Sequence, residues 1–115
     1  MNPNDYIQAV KDYIRNPAIE GTYNNAVNPP GRQIIMQQKE ISIWLESLPA
    51  KERQYVQCLI QSAVDSAIFG YLCSLDGVRK ITDEPGEFRL LFKSEDRECL
   101  LNTNASEYLH DLYRR

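Results

Sequence analysis

The sequence is poor in the parts from which reactive sites are usually assembled. It holds one histidine, His110, and three cysteines, Cys58, Cys73 and Cys99, with no C-x-x-C pair. An odd set of scattered cysteines fits neither a disulfide framework nor a zinc site. It points instead to reduced thiols in a reducing compartment, most simply the cytoplasm. The five glycines all stand singly, so the sequence contains neither a G-x-x-x-x-G-K-[ST] nor a G-x-G-x-x-G phosphate cradle. There is also no D-x-[DN]-x-[DN]-G calcium loop. We therefore expect no cofactor and no metal.

Basic blocks are absent as well. Thirteen Lys and Arg face sixteen Asp and Glu, for a net charge of -3. The balance is even: residues 1–49, 50–77 and 78–115 each sum to -1. Nucleic-acid binding draws on a patch or stripe of Lys and Arg that neutralises phosphates, so nucleic acid is not an expected partner. The N-terminus, Met1-Asn2-Pro3-Asn4-Asp5, lacks the basic and apolar regions of a signal peptide. The stretch Tyr55 to Leu75 is long enough to span a bilayer, but Gln57, Gln61, Asp65 and several serines interrupt it. Asp at the centre of a membrane helix costs about 2.5–3.5 kcal/mol on insertion scales. A core helix of a soluble protein is the better expectation, with no membrane partner.

What is present suits one α+β domain over residues 1–115, a common domain size. Asn2, Pro3 and Asp5 open a helix, and Tyr6, Ile7, Val10, Tyr13 and Ile14 give it an apolar face. Asn16-Pro17 should end it, because the residue before proline avoids the α region. Residues 16–31 are crowded with turn formers and read as a connection. A second helix over Arg32 to Ser47 carries a stripe of Ile34, Ile41, Leu45 and Leu48, with Ile35 and Trp44 alongside. After Leu48-Pro49-Ala50 comes a long helix apolar around most of its circumference, from Val56, Leu59 and Ile60 through Tyr71, Leu72 and Leu75. Such a helix must be covered on several sides, so it is expected to be the buried centre of the fold. Ser62, Ser66 and Gly70, four apart beside Ala63 and Ala67, would permit close approach of another element or of a second copy.

Asp76-Gly77 ends that helix and the period changes. Val78–Thr82, Glu87–Lys93 and Arg97–Leu101 read as three short strands joined by turns, an antiparallel meander. Asn104 and Glu107 are spaced as a capping box that starts a C-terminal helix.

Among candidate functional residues, Asp65 stands out as a lone acid on the apolar helix. Buried, it would need a cation or a hydroxyl, and Arg32, Arg53, Arg79 or a tyrosine could supply one. Tyr23, Asn24 and Asn25 stand in the polar connection, and tyrosine is enriched at interfaces. His110 has Glu107, Asp111 and Arg114 as helical neighbours, which describes a solvated face. Its neighbour Asp111 points in a different direction on a helix, so no catalytic pair is expected.

The expected function is therefore a small acidic interaction module, without catalysis, acting on a protein partner as adaptor, regulator or inhibitor. Toxin-neutralising bacterial immunity proteins are inhibitors of this kind, a comparison made on size and charge alone. Tyr23, Asn24, Asn25 and Asp65 are the candidate contacts. Self-association as a homodimer would cover an exposed small-residue row or sheet edge. The alternatives are a small-ligand domain with a pocket near Asp65 and, less favoured, a carboxylate-based enzyme.

Overall fold

The first helix, α1 (Pro3–Val10), begins where the sequence places it. The Asn2 side chain accepts the Asp5 N–H at 2.8 Å, and the Asp5 carboxylate accepts the Asn2 N–H at 3.4 Å. This reciprocal cap satisfies donors that no helix can satisfy internally. The computed structural model describes residues 1–103 and 107–115. The chain divides into two compact units, one formed by Met1–Ile14 with Ser66–Arg115 and the other by Arg15–Asp65.

Pro17 does not stop the helical path. A π-helical turn, Lys11–Arg15, leads directly into α2 (Asn16–Val27). A proline ring inside a regular helix clashes with the carbonyl four residues back, and the proline brings no N–H to the ladder. The wider π turn changes the carbonyl register just before that point, and Pro17 then occupies the first turn of α2, where its missing N–H is harmless. The expected connection over residues 16–31 is thus mostly helix. Ala18, Ile19, Ala26 and Val27 are half-buried, and α2 packs on the following helix, so packing overrides the weak helix propensity of its asparagines and glycine.

Within the unit 15–65, α3 (Met36–Ser47) starts four residues later than expected, where the Gln38 side chain reaches back to the Ile35 N–H at 3.1 Å. The Ser42 hydroxyl donates to the Val27 carbonyl and ties α3 to the end of α2. Of the expected stripe, only Leu45 is buried, while Ile41, Trp44 and Ile35 are 41%, 52% and 61% exposed. α4 (Ala50–Leu75) follows the Pro49 break.

The expectation that α4 is sheathed is overturned. Its buried residues are Gly70, Leu72, Cys73 and Ser74, all near its C-terminal end. Tyr55, Leu59 and Tyr71 are 56%, 71% and 62% exposed. By length and composition α4 is apolar enough to cross a membrane, and only 22% of its most apolar window is buried. Ser62, Ala63, Ser66 and Ala67 are exposed. Gly70 is covered by a side chain rather than by a neighbouring backbone, since an added Cβ would collide with the Arg79 guanidinium. The all-round apolar pattern recorded composition; the chain supplies cover for one end of the helix.

That end belongs to the other unit. Leu72 joins Ile7 and Val10 of α1 and Leu109, Leu112 and Tyr113 of α5 (Leu109–Arg114) in one core cluster. The helix closes on Gly77, whose φ of 77° lies in the left-handed region. The Gly77 N–H bonds the Ser74 carbonyl at 3.2 Å and the Val78 N–H bonds the Cys73 carbonyl at 3.0 Å, a Schellman closure. The Arg79 N–H bonds the same Cys73 carbonyl. With these donors committed to the helix end, Val78–Thr82 forms no strand and its residues are exposed.

Among the described residues the sheet therefore has two antiparallel strands, β1 (Leu91–Lys93) and β2 (Glu98–Leu100), and not the expected three. Leu91 pairs with Leu100, Phe92 with Cys99 and Lys93 with Glu98. β1 is shorter than its alternating pattern because Asn102 captures the segment before it. The buried Asn102 amide donates to the carbonyls of Leu75 and Phe88, each at 2.7 Å, and its oxygen accepts the Leu90 N–H at 2.8 Å. The expected start of the last helix at Asn104 lies outside the described residues.

Asn102→Ala removes three bonds to backbone groups and is expected to lower unfolding free energy by about 2–3 kcal/mol, read from urea denaturation followed by circular dichroism. Asn102→Asp should be comparably destabilising, because a carboxylate cannot donate to the Leu75 and Phe88 carbonyls.

Tyr6 packs against the core, and burial, with a smaller contribution from Tyr71, pushes its phenol above the ordinary value. Folding thus favours the neutral form. The stability linked to this site is intact below about pH 10 and is lost as pH rises through the native pKa. Urea midpoints should fall more steeply above about pH 10 for the wild type than for Tyr6→Phe, which cannot ionise.

Candidate functional site

The last two turns of α2 bring Tyr23, Asn24 and Asn25 to one cavity of about 630 Å³, with Asn28, Leu45 and Arg53 among its other lining residues. Helical spacing and the packing of α2 on α3 place them there. Tyr23 is half-buried, while Asn24 and Asn25 are exposed. Tyr23 and Asn24 also line a smaller cavity of about 260 Å³ with Ile19, Glu20, Gln57 and Gln61. Arg53, from the first turn of α4, carries a buried Nε–H with no hydrogen-bond partner among the described residues. Glu46 stands on the wall of the same larger cavity, and no ion pair joins it to Arg53 among the described residues. Sequence reasoning named Arg53 only as a partner for Asp65.

Asp65 lines neither cavity. Its partner is Arg15, which none of the sequence expectations named. Arg15 Nε donates to Oδ1 at 2.6 Å and a terminal guanidinium nitrogen donates to Oδ2 at 3.1 Å, the two-pronged geometry suited to carboxylates. Another guanidinium nitrogen bonds Asn16 at 2.9 Å. Asp65 is thus held by a two-pronged ion pair within the unit 15–65. Arg15 ends the π turn, and nothing in the sequence pattern signals that turn.

His110 is not on a solvated face. Its side chain is 13% exposed and Nδ1 lies 2.7 Å from Oδ2 of Asp76, whose side chain is fully buried. The same oxygen accepts the His110 backbone N–H at 2.9 Å and so caps the start of α5. Phe69 meets the imidazole edge-on at 5.6 Å, Tyr108 stacks on it at 5.2 Å, and Arg114 covers Phe69 at 3.8 Å. Asp76 Oδ1 is buried with no partner among the described residues.

An imidazole oriented by a carboxylate is one half of an acid–base device, which also needs a reacting group at the other nitrogen. Here Nε2 lies 3.4 Å from Asp111 Oδ1, across the neighbouring position that sequence reasoning had excluded. His110 lines none of the described cavities. The pair therefore reads as a latch that holds α5 to the end of α4. Asp76 gave no warning in the sequence, where Asp-Gly reads only as a helix stop; its partner lies 34 residues away.

The remaining described cavity, about 620 Å³, lies under the 77–88 loop, with Asp76 and Asn102 on its wall. No family model matches the sequence, and neither a curated protein nor a solved structure matches it significantly.

Asp76→Ala and His110→Ala should each lower unfolding free energy by about 2–3 kcal/mol, because each strands a buried polar partner. A double-mutant cycle in urea should return a coupling of about 2 kcal/mol. Additive losses would mean that the two side chains do not act as a pair.

Proposed function

We propose that this chain is a non-catalytic protein-interaction module, an adaptor, regulator or inhibitor that works by presenting a surface to a protein partner. The observation that carries the reading is the uncovered apolar face of α4 in the unit 15–65. Tyr55 and Leu59 stand one helical turn apart, 56% and 71% exposed, with Ser62 and Ala63 exposed on the next turn. Ile43 and Trp44 of α3 are 69% and 52% exposed. Monomeric soluble proteins seldom leave large apolar surface open, and such surface commonly marks an interaction site.

A protein suits this face better than lipid. Gln54, Gln57, Gln61 and Ser62 are exposed on the same helix, and hydrocarbon would leave their polar groups unsatisfied. A protein partner can bury Tyr55 and Leu59 while bonding these amides. The cytoplasm fits the three free cysteines, of which Cys58 is exposed.

Photocrosslinking tests the reading. Benzoylphenylalanine installed at Leu59 should give, in living cells, one discrete adduct with a protein identifiable by mass spectrometry. A second copy of the chain is one acceptable identity. The same group at Glu95, an exposed turn position, should give none, and Leu59→Glu in the partner-binding assay should weaken capture at least about tenfold. Adducts to lipid, or equal labelling from both positions, would overturn the module.

A further inference from the structure

β1 carries an open edge. The Leu101 N–H donates to the Leu90 carbonyl at 2.8 Å, and the Ser94 N–H donates to the Arg97 carbonyl at 2.9 Å. Hydrogen-bonded pairs alternate along an antiparallel ladder. In the register that sets Leu91 on Leu100, Phe92 on Cys99 and Lys93 on Glu98, it is therefore Phe92 that bonds across to β2. The N–H and C=O groups of Leu91 and Lys93 point the other way, where no other hydrogen bond engages them among the described residues. All three residues of β1 are exposed, Leu91 to 44% and Phe92 to 40%, whereas Cys99 and Leu100 of β2 are half-buried.

Edges are commonly blunted by proline, by charge or by a covering segment. No proline stands in residues 87–101. The one charge on the edge, Lys93, has Glu98 of β2 at 3.7 Å. A row of outward backbone groups is matched by another strand, and the charge pattern suits a copy of the same strand in one register. Antiparallel self-pairing must set Leu91 or Lys93 opposite Leu91 or Lys93 of the second copy. Lys93 on Lys93 puts like charges face to face, and Leu91 on Leu91 sets Arg89 opposite Lys93. Leu91 on Lys93 avoids both, brings Phe92 onto Phe92 at the two-fold axis and carries Arg89 toward Glu95, of opposite sign. Directly opposed like charges destabilise a strand pair and aromatic pairs stabilise one.

We infer that the chain self-associates through β1, two hairpins joining edge to edge as one antiparallel sheet about a two-fold axis at Phe92. The Leu91 and Lys93 N–H groups of each copy donate to the Lys93 and Leu91 carbonyls of the other. An edge this short makes a weak dimer, smaller than the roughly 1,200–2,000 Å² of stable interfaces. It forms at the concentrations of purified protein and dissociates where the chain is present in cells at trace level, so a crosslinker at Glu95 stays silent there. The edge belongs to the unit of residues 1–14 and 66–115, and the α4 face of the proposed module to the unit 15–65, so either can fail without the other.

Sedimentation equilibrium of the purified full chain from about 1 µM to about 1 mM should show monomer and dimer in exchange. Lys93→Pro removes an outward N–H and none of the bonds to β2, and should weaken the dimer at least about tenfold. Lys93→Gln keeps that N–H and should leave the dimer within about threefold. Leu59→Glu, on the α4 face, should leave it unchanged. In a Cys58→Ser, Cys99→Ser background, Phe92→Cys should give a disulfide-linked dimer on mild oxidation, because Cα atoms of a non-hydrogen-bonded pair lie about 4.5 Å apart. Leu91→Cys should not, since Leu91 faces Lys93 of the second copy and is beyond disulfide reach of its own equivalent.

A monomer throughout the concentration range would overturn the inference. So would a dimer that Lys93→Pro leaves intact, a dimer that Leu59→Glu abolishes, or equal crosslinking from Leu91→Cys and Phe92→Cys. Where circular dichroism shows that Lys93→Pro disturbs the fold, the two cysteine variants decide.

Discussion

The unit built from residues 1–14 and 66–115 depends on the polar closure of the C-terminal end of α4. A helix ends with carbonyls that have no internal donors, and here that end lies in the core beside Leu72. Two later segments meet these obligations. Gly77 and Val78 satisfy Ser74 and Cys73, and Asn102 satisfies Leu75. Asp76 is used by His110, through both its backbone and its ring. The sheet, the 77–88 loop and α5 are all positioned by these bonds more than by their own propensities. A two-stranded ribbon of this size is marginal alone; the Asn102 amide joins it to the helix.

The same helix is treated very differently along its length. Near its end, Leu72 is 1% exposed, whereas Leu59 is 71% exposed. Burial contributes about 1.5–3 kcal/mol for a fully covered leucine, and Leu59 gains little of it within the chain. Folding of this chain therefore leaves Tyr55 and Leu59 largely uncovered, while Val56, Ile60 and Val64 on the same helix are half-buried.

Legibility in the sequence followed the range of the interaction. Local devices were readable: the Asn2–Asp5 cap, the break at Pro49, the left-handed closure at Gly77 and the turn between Lys93 and Glu98. What depended on distant partners was not. Pro17 reads as a helix stop unless the π turn before it is known, and that turn is what delivers Arg15 to Asp65. Val78–Thr82 has strand composition, yet its first donors are spent on the helix end. His110 seemed solvated because its neighbours in sequence are charged, while the group that matters, Asp76, lies just past the end of α4, 34 residues away. The buried centre assigned to α4 failed for a different reason: apolar composition states what a segment would gain from cover, and cannot state that this chain provides it.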